Sequence, residues 1–417
     1  MIGIAWKSLC NRWPTALLAV LAIAMSVALI LTVEKVRRDA RNSFTQTVSG
    51  TDLVIGARSG AVQLLLYSVF RIGNATNNIS WESVEDIKNR QTVDWLIPIS
   101  LGDSHAGFRV VGTNLDYFRH YRYGNDQALQ ITSGVIFDDV FDAVIGSEVA
   151  AQLGYKTDDS MVVAHGTGNV GLVKHDKQPF RVSGILAPTG TPVDRAVHVS
   201  LEGIEAMHVD WSNGAVIKGQ ATDADTIRGM DLQPKAVTAL LVGLKSRATV
   251  FRVQRSINTY RAEPLLAILP GVALAELWNL ISVAEKALLI VSACVVVAGL
   301  VNLMSVLLAG LNERRREMAV LRSAGARPAH VFLLLCIEST VLTIGGILSG
   351  LVLHYLLTGL GSLFMQQRFG LSLALAPPDA RDVTILLIIA VAGLLAGTLP
   401  ALQAYRKSLS DGLSQRL

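Results

Sequence analysis

The stretch with the most nucleotide-like spacing is GTGNVG, residues 166–171. It matches G-x-G-x-x-G, and it approaches a phosphate-binding loop until Leu172, which stands where the lysine should be. A dinucleotide loop also needs a strand before it and a helix after it, and LVKHDKQPFRV reads as turn and strand. The expectation is a glycine-rich turn. His105, His120, His165, His175, His198 and His208 are scattered without metal-ligand spacing, and neither H-E-x-x-H nor G-x-S-x-G occurs. The sequence therefore offers no catalytic, cofactor-binding or metal site and no ATPase machinery. What remains is charge in unusual places. ERRREMAVLRSAGA, residues 313–326, lies between two long apolar runs, and Glu338 lies inside the second of them.

Hydrophobic residues make up 51% of the 417 and charged residues only 17%. Mean hydropathy is +0.43, which points to membrane spans. The net charge of +4 is read as membrane-orienting rather than nucleic-acid-binding, so no nucleic acid is expected among the partners. Cys10, Cys294 and Cys336 all lie outside the large polar middle, which therefore has no disulfide framework.

The spans that must position these charges are residues 15–33, 287–311, 331–357 and 383–402. The first is free of charge over about 19 residues, or about 28 Å of helix, and no small-residue cleavage site follows it. Residues 34–286 read as an α+β domain. FRVVGTN (108–114), FRVSGIL (180–186) and AVTALLVGL (236–244) have strand character, while residues 81–90, 146–154 and 247–260 have helix character. The flanks 34–44 and 271–286 look helical and could extend the first two spans as a stalk. The fold class is thus an α-helical membrane protein with four transmembrane helices and a large α+β extracytoplasmic domain between the first and second.

Short cytoplasmic loops collect Lys and Arg. Residues 312–330 hold Arg314, Arg315, Arg316, Arg322 and Arg327, so that loop and both termini (tail 403–417) are expected in the cytoplasm. The domain and loop 358–382 are then outside. Lys35, Arg37 and Arg38, just past the first span, argue weakly the other way. Met318, Val320, Leu321 and Ala324 stay apolar among the charges, as suits a short helix lying along the membrane surface. Gly346 and Gly350 form a G-x-x-x-G pair that lets helices approach closely. Glu338 is costly inside a membrane and is expected to pair or face the bundle interior.

ERRREMAVLRSAGA resembles the segment between the second and third spans of the MacB/FtsX/LolC permeases, the mechanotransmission (type VII) ABC transporters. AWKSLCNRWPTALLAVLAIAMSVAL resembles that family's amphipathic N-terminal helix (residues 1–14) and first span. VIGSEVAAQLGY and FRVSGILAPTGTPVD resemble its extracytoplasmic domain. Glu338, Gly345, Gly346 and Gly350 resemble its third span. The resemblance implies an inner-membrane permease with no catalysis of its own. In it Arg314, Arg315, Arg316, Glu317, Met318, Leu321, Arg322 and Gly325 would form a coupling helix. That helix would dock on a separate cytoplasmic ATPase, present in two copies, which binds the ATP and Mg. It further implies a second copy of this permease or a related one, and a periplasmic adaptor, binding protein or lipoprotein. The work would be efflux or the handling of lipoproteins and other lipidated cargo. A force-transmitting regulator of a periplasmic partner and an ATPase-free membrane-anchored receptor are the alternatives.

Overall fold

The computed structural model describes residues 12–47, 49–165, 179–212, 215–216, 222–313, 327–369 and 376–410. The chain divides into two units, one of residues 1–39, 282–367 and 372–417, the other of residues 40–281 and 368–371.

The first unit is built on four long helices: α1 (Trp13–Gln46), α9 (Pro270–Glu313), α10 (Pro328–Phe369) and α11 (Ala380–Ser410). Each contains a stretch long and apolar enough to cross a membrane, within Trp13–Asp39, Pro270–Gly310, Ala329–Ser362 and Ala380–Gln403. Every expected span lies inside a longer helix. Hydropathy falls where lipid would end, but the backbone continues until something stops it. The expected loop 358–382 is therefore still helical as far as Phe369, with no proline before Pro377. Two helices begin on proline, Pro270 and Pro328, a residue whose missing N–H costs nothing at a helix start. The core of this unit joins Ala19, Ile23, Val27 and Leu31 of α1 to Leu303 and Leu307 of α9, Leu342 of α10 and Ile389 of α11.

The second unit is an α+β domain on one mixed sheet. Its main strands are β1 (Leu53–Ala57), β2 (Val93–His105), β3 (Phe108–Thr113), β4 (Ile131–Gly134), β5 (Asp142–Ile145), β6 (Phe180–Leu186), β7 (Ala196–Ser200), β8 (Ala239–Leu244) and β9 (Leu265–Ile268). Their order is β9-β1-β8-β2-β3-β7-β5-β6-β4. Only β3·β7 and β5·β6 run parallel among these neighbours. The helices are α2 (Ala61–Ser68), α3 (Trp81–Lys88), α4 (Leu115–His120), α5 (Ser147–Leu153), α6 (Leu201–Met207), α7 (Ala224–Arg228) and α8 (Val250–Asn258). Both faces of the sheet are covered, so alternate residues of one strand enter different cores. Val54 packs with Leu64, Leu65 and Tyr117, whereas Leu53 and Ile55 pack with Val84, Ile87, Val253 and Ile257. A third cluster, with Phe141, Ile145, Phe180 and Met207, fills the far half of the sheet.

The stretch AVTALLVGL is two strands. Ala236–Val237 pairs with Ile79–Ser80, and β8 joins the main sheet. Thr238 stands at the break, where its hydroxyl accepts from Leu101 N at 3.0 Å. Residues 247–249 form a 3-10 turn, and the α-helix begins only at Val250. Leu274 and Leu277, in the first turns of α9, pack into the domain core beside Ile268.

Candidate functional site

Arg314, Arg315, Arg316, Glu317, Met318, Leu321, Arg322 and Gly325 all fall in residues 314–326, outside the described residues, as does the N-terminal segment 1–11. The structure does fix where that segment is tethered. It joins the end of α9 at Glu313 to the start of α10, where the imidazole Nδ1 of His330 accepts from Arg327 N at 2.9 Å. GTGNVG, with His175, also lies outside the described residues.

Small residues bring the helices of the bundle together. A Cβ on Gly346 would sit 2.6 Å from Ile23 Cβ, and one on Gly350 would sit 2.7 Å from Val27 Cβ and 2.8 Å from Ala24 O. The G-x-x-x-G pair therefore seats α10 on α1 of the same chain. Gly345 makes no such approach; a methyl there would lie 3.7 Å from Val20 Cγ2, an ordinary contact. Sequence reasoning missed three more contacts of this kind. Gly299 of α9 faces Ser26 of α1, Gly393 of α11 faces Thr343 of α10, and Gly397 faces Ser339. Hydroxyls reinforce two of them, with Ser26 Oγ donating to Val295 O at 3.0 Å and Ser339 Oγ to Gly393 O at 2.8 Å. Close backbone approach plus interhelical hydrogen bonding is how helices associate where lipid removes the hydrophobic drive between them.

The two ends of the bundle carry its charge. Glu338 is 2% exposed and lines a cleft of about 300 Å³ with Arg12, whose Nη1 donates to Gly310 O at 3.1 Å. At the other end, where α1 leaves the unit and α9 enters it, the cations past the first span are paired. Arg38 Nη2 donates to both carboxylate oxygens of Asp382, at 3.1 and 3.3 Å, and Arg38 also pairs with Asp379. Arg37 reaches Glu34 at 2.8 Å and Glu285 of α9 at 3.3 Å. Arg381 reaches Glu34 at 3.3 Å, and Lys35 reaches Asp39 at 3.0 Å. Thr32 Oγ1 and His354 Nδ1, 3.0 Å apart, add a link from α1 to α10. This network ties α1 to α9, α10 and α11. The links between helices join residues hundreds of positions apart, so spacing along the sequence gave no sign of them.

In the domain, the two stretches VIGSEVAAQLGY and FRVSGILAPTGTPVD meet. A Cβ on Gly146 would run into the backbone oxygens of Val193 and Asp194, and Arg195 Nη1 pairs with Glu148 Oε2 at 3.2 Å. Asp194 accepts from Thr189 N at 2.8 Å and Gly190 N at 2.7 Å, closing the PTGTPVD turn, while burial raises its carboxyl pKa. These contacts hold the two stretches together. His105 is held between Val162 O at 2.6 Å and Tyr155 Oη at 3.1 Å, and His120 stacks on Trp95. Among the described residues no group of three His, Cys, Asp or Glu side chains could hold a metal ion.

Residues 16–260 match the MacB-like periplasmic core domain, and residues 289–409 match the FtsX-like permease C-terminal family. The periplasmic region of MacB from Actinobacillus actinomycetemcomitans is a similar solved structure, at 10% identity and a TM-score of 0.34, over 56% of this chain and 95% of that one. The extracellular domain of the noncanonic ABC-type transporter YknZ from Gram-positive bacteria is another, at 13% identity and a TM-score of 0.31, over 52% of this chain and 99% of that one. No curated protein sequence matches. With four apolar helices, the inserted α+β domain and family matches over both parts, the chain belongs to the MacB/FtsX-type family and is an ABC transporter permease subunit.

Proposed function

We propose that this permease converts ATP hydrolysis by a separate cytoplasmic ATPase into movement of its extracytoplasmic domain. The work is efflux or the handling of lipoproteins and other lipidated cargo. The observation that carries the reading is α9, a single helix of 44 residues. One end follows directly on β9 of the domain, and the other leads into ERRREMAVLRSAGA. At about 1.5 Å per residue it is about 66 Å long, roughly twice the hydrocarbon thickness. A displacement of the segment at one end is carried along a continuous hydrogen-bonded rod to the other.

In this reading Arg314, Arg315, Arg316, Glu317, Met318, Leu321, Arg322 and Gly325 dock on the ATPase. Two ATPase copies bind the ATP and Mg, and a second copy of this permease or a related one completes the membrane part. The chain sits in the inner membrane with both termini cytoplasmic and its domain in the periplasm, where an adaptor, binding protein or lipoprotein meets it. The test is Leu321→Asp. All five arginines of residues 312–330 remain, so insertion is unchanged, but a carboxylate replaces an apolar contact and is desolvated without a partner. Recovery of the ATPase through a tag on this chain should fall about tenfold, which is about 1.4 kcal/mol of binding. Full recovery with Leu321→Asp, and with a scrambled segment of equal charge, would reduce the segment to an orientation signal.

A further inference from the structure

The cleft that holds Glu338 is polar at one side and apolar at the other. Besides Arg12 and Glu338 it is lined by Thr15, Ser305, Leu335 and Leu342, from α1, α9 and α10. The packing of α10 on α1 fixes the depth of its two charges. Gly345 lies beside Val20, Gly346 beside Ile23 and Gly350 beside Val27, so the two helices run in the same direction. Glu338 is two turns before Gly345, and two turns before Val20 is Trp13, next to Arg12. Arg12 and Glu338 therefore lie at nearly the same level, Arg12 directly before the apolar stretch that starts at Trp13 and Glu338 ten residues into α10. That is interface depth, where phospholipid headgroups are. Ser305 and Thr15 are exposed on the flanks of the cleft.

We propose that this cleft is a binding site for the headgroup of a phospholipid bearing a primary ammonium. The phosphate lies against the Arg12 guanidinium, the ammonium donates to the Glu338 carboxylate, and the first carbons of the chains lie along Leu335 and Leu342. A guanidinium has five N–H donors and a carboxylate about four acceptor positions, so each holds a lipid group alongside its contacts within the protein. The charge order selects among lipids. A quaternary ammonium has no N–H to give the carboxylate, and a glycerol headgroup has no cation to offer it.

The test uses the full-length protein in mixed-lipid micelles and counts retained lipids by native mass spectrometry. The probes are phosphatidylethanolamine, phosphatidylcholine and phosphatidylglycerol with identical chains. A charge-assisted hydrogen bond predicts that the ethanolamine lipid is retained about tenfold over the other two. Glu338→Gln should abolish that advantage and leave the other two lipids unchanged, while Arg12→Gln should lower all three. Ser305→Trp fills the cleft from its flank without removing either charge, and should displace the ethanolamine lipid even if Glu338→Gln perturbs folding. Equal retention of the three lipids by the wild-type protein would mean annular lipid only and overturn the proposal. So would an ethanolamine preference that survives Ser305→Trp in a protein with an unchanged melting profile.

Discussion

His198 on β7 is fully buried, and its Nδ1 lies 3.2 Å from Val144 O on β5. Its ring lies 5.0 Å from that of Tyr117, and its Nε2 has no hydrogen-bond partner. Burial first, and the Arg71 guanidinium second, push its pKa down to about 3. The ring is thus neutral, with the Nδ1 proton donated to Val144 O. The unfolded chain takes up this proton below about pH 6.5 and the folded one only near the lowered value. The stability contributed is complete above the unfolded pKa and is lost as pH falls through the window down to about 3. The loss amounts to at most about 1.4 kcal/mol per pH unit for one proton. His198→Phe removes the proton site while keeping a ring beside Tyr117. Its melting curves should start below wild type at pH 7 and close on it by pH 4. Parallel curves across that range would mean the histidine does not titrate differently on folding. Nothing in the sequence marked His198 apart from the other histidines, because its burial comes from strands paired on both sides of it.

Among the elements, the seat of α10 on α1 separates three neighbouring glycines that look alike in sequence. Gly346→Ala and Gly350→Ala each force a methyl into a side chain or carbonyl of α1, and overpacking of this kind costs about 1–3 kcal/mol. Gly345→Ala meets only ordinary contact distances and should leave the melting temperature in detergent unchanged. Equal effects at all three positions would mean the helices are not seated as described. Apolar runs made the spans legible, and alternation made β3 and β6 legible, because those signals are local. The flanks 34–44 and 271–286 were legible as helical continuations of the first two spans, but α10 and α11 run past residues 357 and 402, because polar and charged residues continue a helix past the lipid that hydropathy detects. The ion pairs between helices were not legible. Arg38 and Asp382 are 344 residues apart and meet only once α1 and α11 are packed. Both are mostly buried, with side chains 23% and 13% exposed. Arg38→Gln leaves two carboxylates, Asp379 and Asp382, short of a partner, whereas Arg38→Gln with Asp382→Asn leaves only Asp379. The double variant should therefore be less destabilised than the two single effects summed, by about 1 kcal/mol in a double-mutant cycle. Strict additivity would show the pair to be a surface contact of no energetic weight.

At the scale of the whole molecule, the question is which side of the membrane each end of the bundle faces. The rule for short loops counts Lys and Arg near the spans, and here it meets two clusters of opposite meaning. One is Arg314, Arg315, Arg316, Arg322 and Arg327; the other is Lys35, Arg37 and Arg38. The structure shows what the second cluster does. The second cluster is matched to Glu34, Asp39, Glu285, Asp379 and Asp382, so its cations serve to fasten helices together. It also leads into a domain of more than 200 residues, and long domains translocate largely regardless of charge. In the orientation proposed above the first cluster carries the signal, with residues 312–330 inside and the domain outside. After Cys10, Cys294 and Cys336 are replaced, Ser133→Cys on the exposed strand β4 should react with a membrane-impermeant thiol reagent in intact spheroplasts. Ser323→Cys should stay unlabelled until the membrane is opened. The reverse pattern would place the segment proposed to dock the ATPase on the side without ATP, and the reading of this chain as an ATP-driven lever would fall with it.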